Sequence, residues 1–233
     1  MSARLAAITM PVIDGLTKPD EFIAYAARVS NPANQANILT APKLLVFLVN
    51  HRHWSPFEMA HAVIEIETTR DIAHQILRHR SFSYQEFSQR YAEATKFITN
   101  REFRFQDKKN RQSSIETSDA YLQKVWEDMQ QHVVNVTSSI YKDALKMGIA
   151  KEQARVVLPE GLTMTKLYMA GTIRSWIHYA AVRLDPSTQK EHRLVAQDCW
   201  DIILNSFPSL NNEIVGIVAK QIEDAIEGRR DGR

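Results

Sequence analysis

The segment that most limits what this chain can become is Arg78-His79-Arg80-Ser81-Phe82-Ser83-Tyr84-Gln85-Glu86-Phe87-Ser88-Gln89-Arg90-Tyr91. Arginine, histidine, serine, glutamine and glutamate stand here at a density no apolar core tolerates. Buried polar groups need hydrogen-bond partners, and buried charges need them more. The segment is therefore either a solvated face or a site for an anionic, hydrogen-bonding ligand. Residues 60–69 before it alternate, with Ala62, Ile64 and Ile66 on one side and Val63, Glu65 and Glu67 on the other. That pattern predicts a half-buried antiparallel strand. The strand feeds a helix predicted over residues 71–80, with Ile72, Ala73, Ile76 and Leu77 as its apolar stripe. Gln75, Arg78 and His79 then fall together on the opposite side at i, i+3 and i+4. Arg78 and Arg90 can each fork onto a phosphate. Ser88 and the backbone N–H groups around it can complete a phosphate cradle.

The spacing R-H-R-x-x-S-x-x-x-x-S-x-R, carried by Arg78, His79, Arg80, Ser83, Ser88 and Arg90, resembles the signature of the flavin-dependent thymidylate synthases. Three other stretches resemble the same family: His53-Trp54-Ser55-Pro56-Phe57-Glu58, Ala154-Arg155-Val156-Val157-Leu158-Pro159, and residues 174–183. The resemblance implies an enzyme that methylates deoxyuridine monophosphate (dUMP) at C5 to give thymidylate (dTMP). The carbon would come from 5,10-methylenetetrahydrofolate and the hydride from FAD reduced by NADPH. It also implies a homotetramer with active sites shared between subunits. By the same resemblance, Gln75, Arg78, Glu86, Phe87, Ser88, Gln89, Arg90, Arg155 and Arg183 bind dUMP. Ser55, Arg78, His79, Arg80, Glu86, Thr172, Ile173, Arg174 and His178 hold FAD, and His53 lies beside the folate and flavin rings. Arg183 is the implied catalytic arginine, stabilising charge that develops on the uracil during C5 attack. Thr172 departs from the form in which asparagine is common, and a hydroxyl offers fewer hydrogen bonds than an amide. At position 178 the family has either His or Asn.

Composition restricts the alternatives. The net charge is +2, whereas nucleic-acid-binding domains usually carry a clear basic excess. A phosphate-gripping module built on the Arg78 helix and Lys108-Lys109 is the competing reading, and it must work against that balance. A nucleotide hydrolase would want clustered carboxylates for Mg²⁺, and none stand near the arginines. The single cysteine, Cys199, excludes an intramolecular disulfide and a cysteine-based zinc site; no metal site is expected. Set mid-helix in Gln197-Asp198-Cys199-Trp200, it is also no match for the Pro-Cys thiolate of the other thymidylate synthase type. Ser88 has no His–Asp pair evident beside it, so it is read as a hydrogen-bonding residue and not as a nucleophile. Seven glycines supply neither a Walker loop nor a dinucleotide turn, so a flavin would need a fold other than the doubly wound kind. No segment reaches the ~20 apolar residues of a membrane span. The expectation is a soluble cytoplasmic protein with no membrane or nucleic-acid partner.

The expected fold is α+β over a single domain, residues 1–233: an antiparallel-rich central sheet flanked by helices, one of them long, and not a Rossmann fold. A buried strand is predicted at residues 5–12. Helices are predicted from Lys18-Pro19-Asp20-Glu21 and after Thr40, the latter with Leu44, Leu45, Phe47 and Leu48 inward. In the loop 51–58 three rings, His53, Trp54 and Phe57, lie close together; either the loop tucks onto the core or His53 stacks on a flat ligand. Residues 97–118 read as irregular and the most mobile stretch, with a short strand at Phe103-Arg104-Phe105. Residues 119–147 form the longest helix. Its stripe of Leu122, Val125, Met129, Val133, Val136, Ile140, Ala144 and Met147 must be covered by core or by another subunit. A short helix at 151–158 carries Arg155, and a strand follows at 162–170. On a helix at 173–182, Arg174 and His178 share a face; a regular helix would point Arg183 nearly opposite, in tension with its implied place at the uracil, and it is expected to lie at the helix end, where the chain turns before Asp185-Pro186. His178 alone suits a hydrogen-bonded core histidine equally well. Helices at 186–206, with Val195, Cys199, Ile202, Ile203 and Ser206 inward, and at 212–227 complete the chain before a frayed charged tail, 228–233.

Overall fold

The computed structural model describes residues 1–231, with side chains through residue 227. Its main sheet has the strand order β1 (Ser2–Ile8), β2 (His61–Thr69), β6 (Met164–Thr172), β3 (Ser83–Glu86). Backbone bonds fix the directions. Thr9 N–H donates to the His61 carbonyl, and Arg70 N–H to that of Thr163. Ile173 N–H donates to the carbonyl of Ala60, and Phe87 N–H to that of Lys166. Each pair joins the end of one strand to the start of its neighbour, so the sheet is antiparallel. The α+β expectation holds, and the parallel βαβ frame of a Rossmann fold is not what these strands build.

By its internal contacts the chain forms two compact units. The larger comprises Ser2–Ile66, His79–Tyr84 and Tyr168–Arg233. It holds α1 (Pro19–Ala27), α2 (Ala41–Asn50), α6 (Ile173–Arg183), α7 (Lys190–Ser206) and α8 (Asn212–Asp231). Helix α6 packs against both α7 and α8, and α8 also against α2. Ile64 and Ile66 of β2 are buried with Trp176, Tyr179, Trp200, Ile203 and Ile214, the alternation of β2 having turned its aliphatic side inward. On the other side of β2, Glu65 is buried too, held by Arg4 at 2.9 Å and by the Tyr168 hydroxyl at 2.6 Å.

The smaller unit comprises Met1, Glu67–Arg78 and Gln85–Leu167. It contains α3 (Arg70–Ile76), the hairpin of β4 (Arg104–Gln106) and β5 (Ser114–Glu116), α4 (Ala120–Lys146) and α5 (Lys151–Ala154). Asp119 caps α4, its carboxylate accepting from Tyr121 N–H at 2.9 Å and Leu122 N–H at 3.1 Å. Arg101 ties the unit together. Its guanidinium bonds both Asp71 oxygens and the Gly161 carbonyl, while its backbone N–H and C=O are matched by the Gln130 amide of α4.

Several expectations need correction. Strand β1 is mostly exposed and begins at Ser2, not Leu5. Phe47 faces outward, because only one stripe of so short a helix meets a neighbour. Helix α7 starts at Lys190, not 186, because Asp185 folds the segment before it by accepting from Ser187 N–H at 2.8 Å. Of the two coverings expected for the α4 stripe, core or another subunit, the chain's own core does not reach Met129, Val133, Val136, Ile140 and Met147, which are 39% to 80% exposed; Gln130, Val134 and Tyr141 are buried instead. Helix α8 continues to Asp231; the last two residues of the expected frayed tail, 232–233, lie outside the described residues.

Gly171 of β6 lets the Phe82 ring close onto the strand. A Cβ at this position would sit 2.4 Å from Phe82 Cδ1. That ring is itself fixed edge-on against Trp176, 4.8 Å between centroids. Gly171→Ala is expected to lower stability by about 1–3 kcal/mol, the usual cost of overpacking, measured by urea denaturation. In a Phe82→Ala background the same change should cost far less. Equal costs in both backgrounds would show that the ring is not what excludes the methyl group.

Candidate active site

In the larger unit, the site residues are set by a strand that becomes a helix without a loop. Thr172 ends β6 and caps α6, its Oγ1 accepting from Ser175 N–H at 3.2 Å. Ile173 is fully buried. One residue on, Arg174 Nη1 donates to Glu58 Oε1 at 2.8 Å, and its Cζ lies 5.9 Å from the Trp54 ring centre. A turn later, the His178 ring lies on the same indole with 4.6 Å between centroids. The shared face expected for Arg174 and His178 is thus present, and Trp54 is what they share. Helix α2 delivers this indole. Arg52, at φ 58°, takes the left-handed position after the helix, and His53 N–H reaches back to the Leu48 carbonyl at 2.8 Å. Ser55 then opens a 3-10 turn, Ser55–Glu58. Ser55 and His53 are exposed.

The electrostatics of this patch are uneven. Burial raises the Glu58 carboxyl, but hydrogen bonds from Arg174 and Thr172 outweigh it and hold Glu58 below its usual range. Burial, then the Arg174 charge, lowers His178, so its ring is neutral. Its Nε2 is buried with no hydrogen-bond partner. An indole face, an unpaired imidazole nitrogen, an exposed hydroxyl and a guanidinium paired to Glu58 fit a flat, hydrogen-bonding cofactor such as a flavin nucleotide. Trp54 and Glu58 belong to this patch; Trp54 was expected only as one of three clustered rings in the loop 51–58, and neither residue was expected as a site residue. The spacing of Arg174 and His178 implied a common object without saying which.

Arg183, the last residue of α6, lies elsewhere on the same helix. Its Nε donates to His79 Nε2 at 2.7 Å. This corrects the expected Gln75, Arg78 and His79 face: α3 stops at Ile76, so the i, i+3, i+4 relation fails. Arg78 N–H makes only a long i to i−3 bond to the Gln75 carbonyl, at 3.4 Å, and His79 turns to Arg183. There the Tyr179 ring meets it edge-on at 4.9 Å, and the Tyr179 hydroxyl is hydrogen-bonded to His192 Nε2 at 3.1 Å. Arg80 is exposed.

The smaller unit gathers the residues expected for the nucleotide. Gln75 lies on α3 and Arg78 just past its end, exposed. Glu86 ends β3 and accepts from Thr165 Oγ1 at 2.9 Å and Arg70 Nη1 at 3.3 Å. Phe87 is tied to β6 through its N–H and is partly exposed. Ser88 Oγ accepts from Arg90 N–H at 3.3 Å. Gln89 is 4% exposed, and its Nε2 has no partner. Arg90 and Arg155 come together through Glu152, whose carboxylate accepts from Arg90 Nε at 3.2 Å and whose carbonyl accepts from Arg155 Nε at 3.3 Å. Glu152 was not anticipated, since one glutamate on a short helix carries no distinguishing signal. Among the described residues no group of His, Cys, Asp and Glu is arranged to hold a metal.

A half-buried imidazole, His79, and a fully buried one, His192, give the fold a predictable acid sensitivity. Burial, then the Arg183 charge, lowers His79 from 6.5 to about 4. Burial, then Arg183 and His79, lowers His192 to about 3. The unfolded chain therefore takes up protons first as pH falls. The stability these groups support is complete above about pH 6.5 and is lost as pH falls through 4 toward 3. The urea midpoint of a His79→Gln/His192→Gln variant should depend less steeply on pH between 6.5 and 4 than that of the wild type. Parallel curves would exclude the two histidines as the titrating groups.

Comparison with known proteins places the chain. Residues 11–209 match the family described as thymidylate synthase complementing protein. The chain is 48% identical over 210 residues to a probable flavin-dependent thymidylate synthase of Paramecium bursaria Chlorella virus 1, covering 90% of this chain and 97% of that one. It is 49% identical over 213 residues, with the same coverage, to the flavin-dependent thymidylate synthase of Synechocystis sp.. In fold it is similar to a UMP/dUMP methylase from Streptomyces cacaoi bound with 5-Br UMP, with a TM-score of 0.77, 24% identity, and coverage of 93% and 94% of the two chains. The same methylase bound with 5-Br dUMP gives a TM-score of 0.75. With these relatives on nearly their full length and the Arg78 to Arg90 signature intact, the chain belongs to the flavin-dependent thymidylate synthase family.

Proposed function

We propose that this protein catalyses the reductive methylation of dUMP to dTMP, with FAD as cofactor, 5,10-methylenetetrahydrofolate as carbon donor and NADPH as reductant. The observation that carries the reading is the face made by Trp54, Arg174 and His178, where a buried imidazole nitrogen without a partner stands beside a cation and an indole. Five of the residues expected for FAD, Ser55, Thr172, Ile173, Arg174 and His178, lie on this face or in the elements that build it. When bound, FAD supplies a two-electron hydride store that the amino-acid side chains lack.

The protein's own residues bind, orient and stabilise charge. Arg78 and Arg90 meet the dUMP phosphate and Arg155 the nucleotide, and Glu152, the present partner of Arg90 and Arg155, is a weak competitor. The Arg90–Glu152 ion pair is about half exposed on each side, and such pairs contribute little. Gln89 offers a donor that the fold has buried and not used. Ser88 keeps its proton: its Oγ is an acceptor for Arg90 N–H, which suits a hydrogen-bonding role. Arg183 brings a positive charge to the uracil, where it stabilises the anionic ring as C5 attacks the one-carbon donor.

The assembly in this reading is a homotetramer working in the cytoplasm. Trp126, Met129, Val133, Val136, Ile140 and Met147 recur at spacings of three, four and seven and are exposed along α4. An apolar seam of that period suits packing against another helix.

Purified protein should be yellow, bind FAD, and convert dUMP to dTMP only with both the folate and NADPH present. A colourless protein that FAD does not reconstitute and that forms no dTMP would sink the proposal. Arg90→Ala should weaken dUMP binding about ten-fold or more, given roughly 1.5–3 kcal/mol for a charge-assisted hydrogen bond, read by calorimetry. Glu152→Ala should leave that affinity nearly unchanged. Val133→Asp/Val136→Asp should shift the sedimentation mass to a smaller species; an unchanged mass would mean the seam is not an interface.

A further inference from the structure

Arginines that must point in one direction are commonly held by carboxylates, and Arg101 is an example: Asp71 holds it through both oxygens. A carboxylate orients a guanidinium but also answers its charge. Arg183 is held differently. Its Nε donates to the imidazole of His79 at 2.7 Å. A donor on that nitrogen requires His79 Nε2 to be an acceptor, so the ring is neutral with its proton on Nδ1. A protonated ring, or the other tautomer, would set N–H against N–H.

The surroundings keep the ring in that state. The Tyr179 ring, almost fully buried, stands edge-on to His79 at an interplanar angle of 82°. Behind it, His192 is completely buried and bonded to the Tyr179 hydroxyl. The His79 carbonyl accepts from the Tyr84 hydroxyl at 2.9 Å, which pins the backbone on the other side. Burial and the Arg183 charge both act against protonation.

We propose that His79 is a positioning residue: its neutral Nε2 fixes the Arg183 guanidinium through Nε alone, leaving the two terminal nitrogens and an uncompensated positive charge for the anionic uracil. This rests on the role given to Arg183 above. It separates His79 from the flavin contacts that its place in the signature suggested. A neutral acceptor orients without cancelling, which is what stabilising a developing anion requires.

Three substitutions test orientation and charge independently. His79→Gln keeps a neutral acceptor, His79→Leu removes it, and His79→Glu keeps an acceptor but adds a neutralising charge. In single-turnover dTMP formation, His79→Gln should stay within about threefold of wild type. His79→Leu and His79→Glu should each fall roughly tenfold or more, mainly in kcat and not in KM. Flavin content and reduction by NADPH should be unchanged in all three. Equal rates for the Gln and Glu variants, or loss of flavin from all three, would overturn the proposal. Arg183→Ala, run alongside, separates the two ideas. If it forms dTMP at the wild-type rate, the role of Arg183 is wrong; if it is inactive while His79→Leu is not, only the positioning is wrong. A readout independent of turnover is the ¹⁵N spectrum of the histidines, with His79 assigned from the Gln variant. The proton on Nδ1 is expected, and a proton on Nε2 would overturn the inference whatever the variants do.

Discussion

Two strands of this protein become helices with no intervening loop, and the placement of its polar residues depends on those junctions. At the first, Thr69 gives way to Arg70, and at the second Thr172 gives way to Ile173. In each, the first helical residue still donates a sheet hydrogen bond, Arg70 to the Thr163 carbonyl and Ile173 to that of Ala60. In each, the threonine hydroxyl bonds into the first helical turn, to Asp71 or to Ser175 N–H. A helix tied to a sheet at its first residue has no freedom to swing. Side chains a fixed number of residues further on, such as Arg174 and His178, are therefore delivered to a fixed place.

The same chain treats two arginines in opposite ways, and the contrast separates structure from chemistry. Arg101 is largely buried, doubly bonded to Asp71, and matched on its backbone by Gln130. Every donor that points inward has an acceptor, as a buried charge needs. Such a residue holds elements together and has little charge left to offer. Arg183 has a neutral imidazole as its partner, and behind it a phenol and a second imidazole that stay uncharged at neutral pH. The cluster keeps the cation in position and does not discharge it.

Much of this was legible in the sequence where the signal is local. The alternation of residues 60–69 gave β2, and the four-residue spacing of Arg174 and His178 gave a common face. The signature segment identified the family before any geometry was known. What was hidden depends on partners far along the chain. Periodicity carried α3 on to Arg80, since Gln75, Arg78 and His79 sit at helical spacing. The helix ends at Ile76 because the chain beyond it turns back toward α6, over a hundred residues later. The tension over Arg183 dissolves for the same reason. Helix α6 stays regular to its last residue and Arg183 does point away from Arg174, toward a histidine whose position no spacing could reveal. Helix α4 shows the complementary ambiguity, which the sequence left open between core and another subunit. A stripe of period near 3.5 reads identically whether the covering surface is the chain's own core or another molecule, and in the protomer it is left open.

The absence of an activated nucleophile among these residues fits the arrangement of charges around them. Cys199 is fully buried, and burial pushes its thiol up, so no thiolate is available from it. Ser88 is turned toward Arg90 N–H, and no imidazole is paired with it to take its proton. Under the proposed function, a chain without a covalent handle on the uracil ring would activate it by binding. Each unit carries groups suited to binding: guanidinium groups at 90 and 155 and the buried amide donor of Gln89 in the smaller, and Arg183 with the Trp54 and His178 ring pair in the larger. Preorganised charge of this kind gains most where water is excluded and the groups need not move as charge develops. The rigid junction before α6 is the structural means of keeping Arg174, His178 and Arg183 still.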